Sequence, residues 1–361
     1  MSSIAVLPGD GIGPEITASA VRVLQAVLPD ATFAEGAVGA AAIASHGTPL
    51  PEETIALARA SDAILFGAVG GPGYDNLPPD RRPEAAILGL RKTFGLYANV
   101  RPARVFAGLE DRSPLKPELV RGMDLVFVRE LTGGLYFGEK TIEEEDGVIV
   151  ARDVLVYRDY EIERAIRFGF ELARQRRGRV TSVDKNNVIK SSQLWRSIAI
   201  EVAADYPDVT LEHMLVDNAA MQLVRDPLAF DVIVTENMFG DILSDEAAMI
   251  TGTIGTAASA ALGAAPVLGE RAFGLYEPIS GTAPDIAGRG IANPTGAILS
   301  AAMLARFSLA RPDAADRIER AVAAALASGP RTADLEPRNP ASTAAFTDLI
   351  LGMLDAPVAL R

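Results

Sequence analysis

Two aspartates have the residue type and the spacing of a divalent-cation site. Asp241 and Asp245 lie in the sequence FGDILSD, shortly after an apolar run that predicts a strand. On a helix their carboxylates share one face, where like charges repel unless a cation lies between them. Asp217, which follows the apolar run at 214–216, is a third candidate ligand. Oxygen donors favour Mg²⁺ or Mn²⁺ over zinc, whereas a solvated acidic helix face explains the same spacing without a metal.

Three arginines stand out in a chain whose formal net charge is −13. Arg129 ends an apolar strand, where a charge costs free energy unless an anion meets it. Arg91 and Arg101 lie in the sequences LRK and NVRPA. Ligands bind at the carboxyl ends of parallel strands in α/β proteins, so the arginines indicate an anionic substrate. Salt bridges to the abundant acidic residues are the alternative.

A tyrosine and a lysine are the candidates for acid–base chemistry. The chain has two histidines and no cysteine, so this work must fall to Tyr, Lys, Asp or Glu. Tyr136 lies in GGLYFG and Lys185 in SVDKNNV. Desolvation or a nearby cation lowers the pKa of such a lysine toward neutrality. A core tyrosine and a merely exposed lysine are the alternatives.

Composition excludes several classes of function. Without cysteine there are no disulfides, zinc–thiolate sites, iron–sulfur clusters or cysteine nucleophiles. His46 and His213 lie far apart in the chain, which excludes a multi-histidine zinc site. The negative charge opposes binding to nucleic acid or to anionic membranes. Neither a basic leader nor an apolar run of about 18 residues is present, so we expect a cytoplasmic protein.

The elements that would position these residues follow an α/β pattern. Short apolar runs alternate with helical patterns, which is typical of parallel strands. Helices are predicted from residue 14, over about 161–177 and over about 313–327. The predicted strands are 4–7, 63–66, 125–128, 180–183 and 232–235.

The glycine-rich turn GDGIGPE at 9–15 lies between a predicted strand and a predicted helix. It lacks the G-x-G-x-x-G spacing, and Pro14 removes an amide that a phosphate would bind. A structural turn is therefore favoured over a phosphate loop. Two further loops rich in Gly and Pro, 67–83 and 277–285, have the length of functional or mobile segments.

In combination, these motifs resemble those of one known family. GDGIGPE, LRK with NVRPA, VRELTGGLYFG, SVDKNNV, TENMFGDILSDEA and GTAPDIAGRGIANPTGAILSAAM occur in this order over nearly the whole chain. The order resembles the β-decarboxylating dehydrogenases, which include isocitrate and isopropylmalate enzymes. The resemblance implies their two-domain α/β fold with a non-Rossmann dinucleotide site. It also implies an enzyme that requires NAD⁺ and Mg²⁺ or Mn²⁺.

The resemblance gives each candidate residue a role. Three arginines would bind the two carboxylates of a malate moiety: Arg91, Arg101 and Arg129. Three aspartates would hold the metal: Asp217, Asp241 and Asp245. One aspartate group would come from the partner subunit, and Asp217 would also face the substrate. Lys185, presented across a dimer interface, would accept the proton of the C2 hydroxyl as hydride passes to NAD⁺. Tyr136 would protonate the enol carbon after the β-carboxylate leaves.

The segment before Arg91 implies the substrate. Ile87 and Leu88 would form an apolar wall for an isopropyl group, completed by Val188 of the partner subunit. Burying that group stabilises the complex by about 2 kcal/mol, and an unpaired carboxylate there would cost more. The implied reaction is oxidative decarboxylation of 3-isopropylmalate to 4-methyl-2-oxopentanoate, in leucine biosynthesis. Isocitrate, homoisocitrate, tartrate and D-malate are alternative substrates.

A set of loop residues would bind the cofactor. Glu84 would lie near the nicotinamide, where its charge favours the cationic ring of NAD⁺. Asp285 and Ile286 stand where NADP-dependent relatives bind the 2′-phosphate, and an aspartate there would repel it. The remaining implied cofactor residues are Gly71, Gly255, Ser259, Glu277, Gly281, Thr282, Ala283, Pro284 and Asn293.

The implied architecture has two domains and a dimer. Residues 1–98 and 252–361 would form the cofactor-binding domain, and 99–251 the substrate, metal and dimerisation domain. Segment 138–157 would reach the partner as a β arm, with 153–157 as a strand. The active sites would be shared across the homodimer interface, with no nucleic-acid or membrane partner. A non-catalytic protein that binds dicarboxylates through the arginines alone is the alternative from another class.

Overall fold

Twelve strands and twelve α-helices form the regular structure of residues 2–265 and 270–355, the part of the chain that this computed structural model describes. The strands are β1 (Ser3–Gly9), β2 (Thr32–Glu35), β3 (Ala63–Ala68), β4 (Ala98–Arg104), β5 (Asp124–Glu130), β6 (Lys140–Glu145), β7 (Val148–Asp153), β8 (Arg179–Asp184), β9 (Thr210–Leu215), β10 (Val232–Thr235), β11 (Ala258–Leu262) and β12 (Gly274–Pro278). The helices are α1 (Gly13–Val27), α2 (Gly39–His46), α3 (Glu52–Arg59), α4 (Ala85–Thr93), α5 (Pro117–Val120), α6 (Asp159–Arg174), α7 (Lys190–Ala203), α8 (Val216–Arg225), α9 (Asn237–Ile250), α10 (Thr295–Phe307), α11 (Pro312–Ser328) and α12 (Thr343–Met353).

The α/β prediction is confirmed element by element. Each of the five predicted strands lies within an observed one: β1, β3, β5, β8 and β10. Helix α1 begins at Gly13 with Pro14 in its first turn, and α11 covers the Ala-rich segment. Helix α6 ends at Arg174, three residues before the predicted end. The apolar runs were informative because strands such as β3 and β10 are buried along their whole length.

Two groups of parallel strands meet in one sheet with the order β2-β1-β3-β12-β11-β4-β5-β10-β8-β9. Strands β2, β1, β3 and β12 are parallel, as are β5, β10, β8 and β9. Strand β11 is antiparallel to β12 and β4, and β4 is antiparallel to β5. The first group comes from both ends of the chain and the second from its middle. The division at 98/99 and 251/252 stays a prediction; residues 1, 266–269 and 356–361 lie outside the described part.

The predicted β arm has a different strand boundary. Strands β6 and β7 form a separate antiparallel hairpin, with Lys140 opposite Asp153. The strand predicted at 153–157 is wrong beyond Asp153, because residues 154–157 form no regular element. They instead lie against the turn before β6: the Gly134 amide donates to the Val156 carbonyl at 2.8 Å. No helix in the described residues could span a membrane, and the cytoplasmic location stays a prediction.

The turn GDGIGPE has a structural role in this fold. Gly11 has a φ of 59°, and a Cβ there would lie 2.1 Å from the Thr282 carbonyl oxygen. The Ile12 amide donates to that same oxygen at 2.9 Å. The Asp10 carboxylate accepts from the amides of Ala40 at the start of α2 and of Gly70 after β3. The turn therefore contacts three segments of the chain, and two of them carry predicted cofactor residues: the loop after β3 and the loop that contains Thr282.

We expect Gly11→Ala to lower the free energy of unfolding by about 2–4 kcal/mol, because the left-handed backbone and the Thr282 contact both oppose a side chain. Gly47 provides the control: its φ is 73°, with nothing within 4 Å of a new Cβ. Gly47→Ala should cost only about 1 kcal/mol. Urea denaturation measures the free energy of unfolding of both variants. Equal losses of stability in the two variants would contradict the importance of the Thr282 contact.

Candidate active site

Helix α9 brings two of the predicted metal ligands against two of the predicted substrate arginines. Arg101 Nη1 donates to Asp245 Oδ1 at 3.0 Å and lies 3.6 Å from Asp241 Oδ1. Arg129 Nη1 donates to that same Asp241 oxygen. The Tyr136 hydroxyl donates to the other, Oδ2, at 2.9 Å. One helix face thus gathers five of the predicted residues.

Strand register explains why the two arginines meet. In the antiparallel pair β4–β5, Asn99 lies opposite Arg129. Directly opposed residues point to the same face, as do residues two apart in one strand. Arg101 and Arg129 therefore share a face of the sheet, and α9 packs over it. Gly240 allows this close approach, since a Cβ there would lie 2.7 Å from Arg129 Cγ.

Burial shifts the ionisation of this cluster. Burial, aided by the nearby Arg101 charge, lowers the pKa of Arg129 to about 10. Burial also lowers the pKa of Arg101, opposed by Asp241 and Asp245. With a pKa of about 10, Arg129 stays charged at neutral pH. Burial and the charge of Asp241 raise the pKa of Asp245. The two arginines repel each other, as do the two aspartates. Both repulsions are tolerated because each carboxylate lies beside a guanidinium group.

Helix α4 supplies the third arginine and the predicted apolar wall. Arg91 Nη2 donates to Glu277 Oε1 at 2.8 Å, which joins a predicted substrate residue to a predicted cofactor residue. Ile87 and Leu88 precede Arg91 by four and three positions, so all three lie on neighbouring faces of the helix. Leu88 is exposed and Ile87 half-buried. The wall is therefore open beside the arginine cluster.

The turn that carries Tyr136 is held from both sides. The buried Glu130 carboxylate accepts from the amides of Thr132 and Gly133. Lys140 Nζ donates to the Leu135 and Tyr136 carbonyls at 2.8 and 3.1 Å. Burial and the hydrogen bond to Asp241 raise the pKa of Tyr136. Its hydroxyl therefore keeps its proton at neutral pH, as a proton donor must.

Lys185 and Asp217 form a second, separate group. Lys185 Nζ lies 3.0 Å from Asp217 Oδ2, and this contact lowers the pKa of Asp217. They follow β8 and β9, two and three strands from β5, or about 10 and 14 Å across the sheet. Val188, in the next turn, is 70% exposed. Among the described residues, no three His, Cys, Asp or Glu side chains come together as a cation site. Asp241 and Asp245 fit a hard cation but supply only part of its ligands.

The predicted cofactor residues are distributed over several loops. A Cβ on Gly255 would lie 2.9 Å from Asn293 Cβ, and Asn293 donates to Asp334. A Cβ on Gly70 would lie 3.1 Å from Glu84 Oε1 and 3.6 Å from Thr282 Cγ2. Ser259 is buried, where its hydroxyl accepts from Asn99. The remaining predicted cofactor residues are exposed or half-buried: Gly71, Gly281, Ala283, Pro284, Asp285 and Ile286.

A cavity of about 320 Å³ contains none of the predicted site residues. Its lining includes Val100 and Pro102 of β4 and Val126 of β5. Side chains alternate along a strand, so these residues point away from the face that carries Arg101 and Arg129. The cavity therefore lies on the other side of the sheet from the arginine cluster.

Several residues of the site are absent from the sequence-based set. They are Asn99, Glu130, Lys140, Asn237 and Ser244, which contact the predicted arginines or hold the Tyr136 turn. Four of them, Asn99, Glu130, Asn237 and Ser244, lie inside the motifs NVRPA, VRELTGG and TENMFGDILSD. Their position inside these motifs is the one sequence feature that indicates a role in the site. Their individual roles depend on partners that are distant in the chain.

Comparison with known proteins shows the family of this chain. The profile of one family, described as isocitrate/isopropylmalate dehydrogenase, matches residues 3–350. The chain belongs to this family. Proteins named 3-isopropylmalate dehydrogenase from Chromohalobacter salexigens and Geobacillus kaustophilus are 54% and 57% identical. These alignments cover 98% and 92% of this chain, and 99% and 90% of the relatives.

Solved structures of the family share the fold. An isocitrate dehydrogenase from Methylococcus capsulatus superposes with a TM-score of 0.85 at 38% identity, covering 98% of this chain and 99% of that one. A β-decarboxylating dehydrogenase from Thermococcus kodakarensis gives a TM-score of 0.81 at 38% identity, covering 98% and 96%. The predicted family and its fold are thereby confirmed.

Because Gly240 lets α9 approach Arg129, we expect Gly240→Ala to displace that arginine. The KM for the hydroxy-acid substrate should rise by about tenfold, as expected when a binding group is misplaced. Gly352→Ala is the matched control, a helical glycine with nothing within 4 Å of a new Cβ. Both changes favour helix by about 1 kcal/mol. Steady-state kinetics compare the two, and an unchanged KM in Gly240→Ala would contradict the steric argument.

Proposed function

We propose that this chain catalyses the NAD⁺-dependent oxidative decarboxylation of 3-isopropylmalate to 4-methyl-2-oxopentanoate, a step of leucine biosynthesis. The observation that carries the proposal is the cluster beneath α9, where Arg101 and Arg129 meet Asp241, Asp245 and Tyr136. Arg91 lies close enough to influence the ionisation of both other arginines. Relatives more than 50% identical are named for this activity.

The arginine cluster suits a dianionic substrate. Three guanidinium groups converge in a chain of net charge −13; Arg129 is buried, and Arg91 and Arg101 are half-buried. Substrate carboxylates would replace the acidic partners that hold these arginines now. Preorganised charges in a partly dry site act more strongly than they would in water.

The carboxylates of Asp241 and Asp245 would hold Mg²⁺ or Mn²⁺. When bound, the ion polarises the C2 hydroxyl and stabilises the negative charge that develops as carbon dioxide leaves. The Tyr136 hydroxyl, which its raised pKa keeps protonated at neutral pH, would then deliver a proton to carbon. Lys185 would accept the hydroxyl proton during oxidation, with Asp217 as a further metal ligand.

We also propose that each active site is shared between two subunits. Within one chain, Lys185 and Asp217 contact each other rather than the α9 cluster. Apolar side chains lie exposed on the β6–β7 hairpin and on α8 and α9: Ile142, Val148, Ile149, Met221, Ile242 and Met249. These exposed apolar side chains on neighbouring segments support a protein interface at this surface. A partner covering α9 would bring its own lysine and aspartate to the cluster.

Substrate and cofactor preference would follow from single side chains. Ile87 and Leu88, with Val188 of the partner subunit, would enclose the isopropyl group and leave a third carboxylate unpaired. Asp285 would accept hydrogen bonds from ribose hydroxyls and repel a 2′-phosphate. Glu84 would favour the cationic nicotinamide.

A substrate panel tests the reaction. NAD⁺ reduction should be fastest with 3-isopropylmalate, by about tenfold or more over isocitrate, homoisocitrate, tartrate and D-malate, because burial of the isopropyl group contributes about 2 kcal/mol. EDTA should abolish activity, and added Mg²⁺ or Mn²⁺ should restore it. NADP⁺ should be a poor substitute for NAD⁺. Faster turnover of another acid would contradict the substrate assignment. Activity that resists EDTA would contradict the metal requirement.

Mixing two inactive variants tests the shared site. Lys185→Ala and Tyr136→Phe should each lose most activity. Unfolded together and refolded, they should regain about a quarter of the wild-type rate, because half the dimers are mixed and each carries one intact site. Each variant refolded alone is the control. No recovery in mixtures that contain mixed dimers would show that both residues act within one chain.

A further inference from the structure

Two buried asparagines hold two of the arginines in the same way. Arg129 Nε donates to Asn237 Oδ1 at 2.9 Å, and Arg101 Nε donates to Asn99 Oδ1 at 2.7 Å. Both asparagines are at most 1% exposed. In each case the side-chain amide oxygen accepts from Nε of the guanidinium group, and the terminal Nη1 atom donates to an aspartate.

The other end of each amide binds a different part of the site. Asn237 Nδ2 donates to the Gly133 carbonyl at 3.1 Å, in the turn that carries Tyr136. Asn99 Nδ2 donates to Ser259 Oγ at 2.8 Å and to the Ala260 carbonyl at 3.1 Å, both in β11. Each asparagine therefore fixes an arginine relative to a second structural element.

We propose that Asn237 is a positioning residue that aligns Arg129 with the Tyr136 turn without neutralising the arginine, and that Asn99 does the same between Arg101 and β11. The inference rests on the proposed function, in which these arginines bind the substrate dianion. It assigns the paired asparagines to substrate affinity.

The chemistry of the amide makes the choice of residue specific. Asparagine offers an acceptor to the arginine and a donor to the carbonyl at the same time, and it carries no charge. An aspartate of the same shape would keep the contact to Arg129. Its second oxygen would face the Gly133 carbonyl without a proton between them, and its charge would compete with the substrate for the arginine.

The main chain at Asn237 is held independently of its side chain. The main-chain N–H of Asn237 donates to the Tyr157 hydroxyl at 2.9 Å. Glu236, directly before α9, accepts from the Phe239 amide at 2.8 Å. Substitutions at Asn237 therefore change the side-chain contacts while the first turn of α9 retains its cap.

The order of two variants tests the proposal. At one neutral pH, Asn237→Asp should raise the KM for 3-isopropylmalate by about tenfold or more, and Asn237→Ala by less, because alanine leaves the Arg129 charge free. The KM for NAD⁺ should stay within about twofold in both. A merely space-filling role predicts the reverse order, because aspartate preserves the volume and alanine does not. Asn339→Asp, at an exposed position, is the charge-matched control and should match wild type.

The outcomes separate this inference from the proposed function. Wild-type protein that does not turn over 3-isopropylmalate contradicts the function itself. Active wild type with Asn237→Ala more impaired than Asn237→Asp, or with both KM values raised in parallel, overturns the inference alone. If thermal unfolding shows that Asn237→Asp does not fold, the pair Asn99→Asp and Asn99→Ala carries the same expected order.

Discussion

The arrangement of this site depends on the burial of guanidinium groups in a sheet. A charge at the end of an inner strand is tolerated only when opposite charge and hydrogen-bond acceptors surround it. Helix α9 meets that need with Asp241 and Asp245, and Asn237 supplies a neutral acceptor at its first position. The helix must lie close, which requires Gly240 where it crosses Arg129. Helix sequence, strand register and the Tyr136 turn are all constrained by this one contact.

The net charge of the whole chain is a poor guide to the local charge at the candidate site. The total of −13 disfavours nucleic acid as a partner, yet three arginines converge on the face where the proposed substrate dianion binds. The acids that pair with the arginines are the same acids that would hold the cation. The site therefore contains its own counter-charges in the absence of ligand. Substrate and metal binding would be coupled, because each relieves the repulsion that the other would create.

The separation of Lys185 and Asp217 from the α9 cluster has a topological cause. Strands β8 and β9 stand beyond β10 at one edge of the sheet, so the side chains that follow them are too far from β5 to complete its site. Under the proposed dimer, exposed apolar side chains on α8, α9 and the β6–β7 hairpin bring the second subunit to this edge. Assembly and catalysis would then depend on the same surface.

Local pattern alone determined the strands at 4–7, 63–66, 125–128, 180–183 and 232–235, because buried parallel strands are apolar along their length. It also indicated Arg129, Asp241 and Asp245 as chemically unusual, and motif order indicated the family. Only the tertiary structure decided that Asn237 links Arg129 to Gly133, that Asn99 links Arg101 to Ser259, and that residues 154–157 form no strand. Periodicity reports the environment of neighbours a few residues apart. Hydrogen bonds between residues more than 100 positions apart depend on which strands pair and in which register, and no local pattern contains that information.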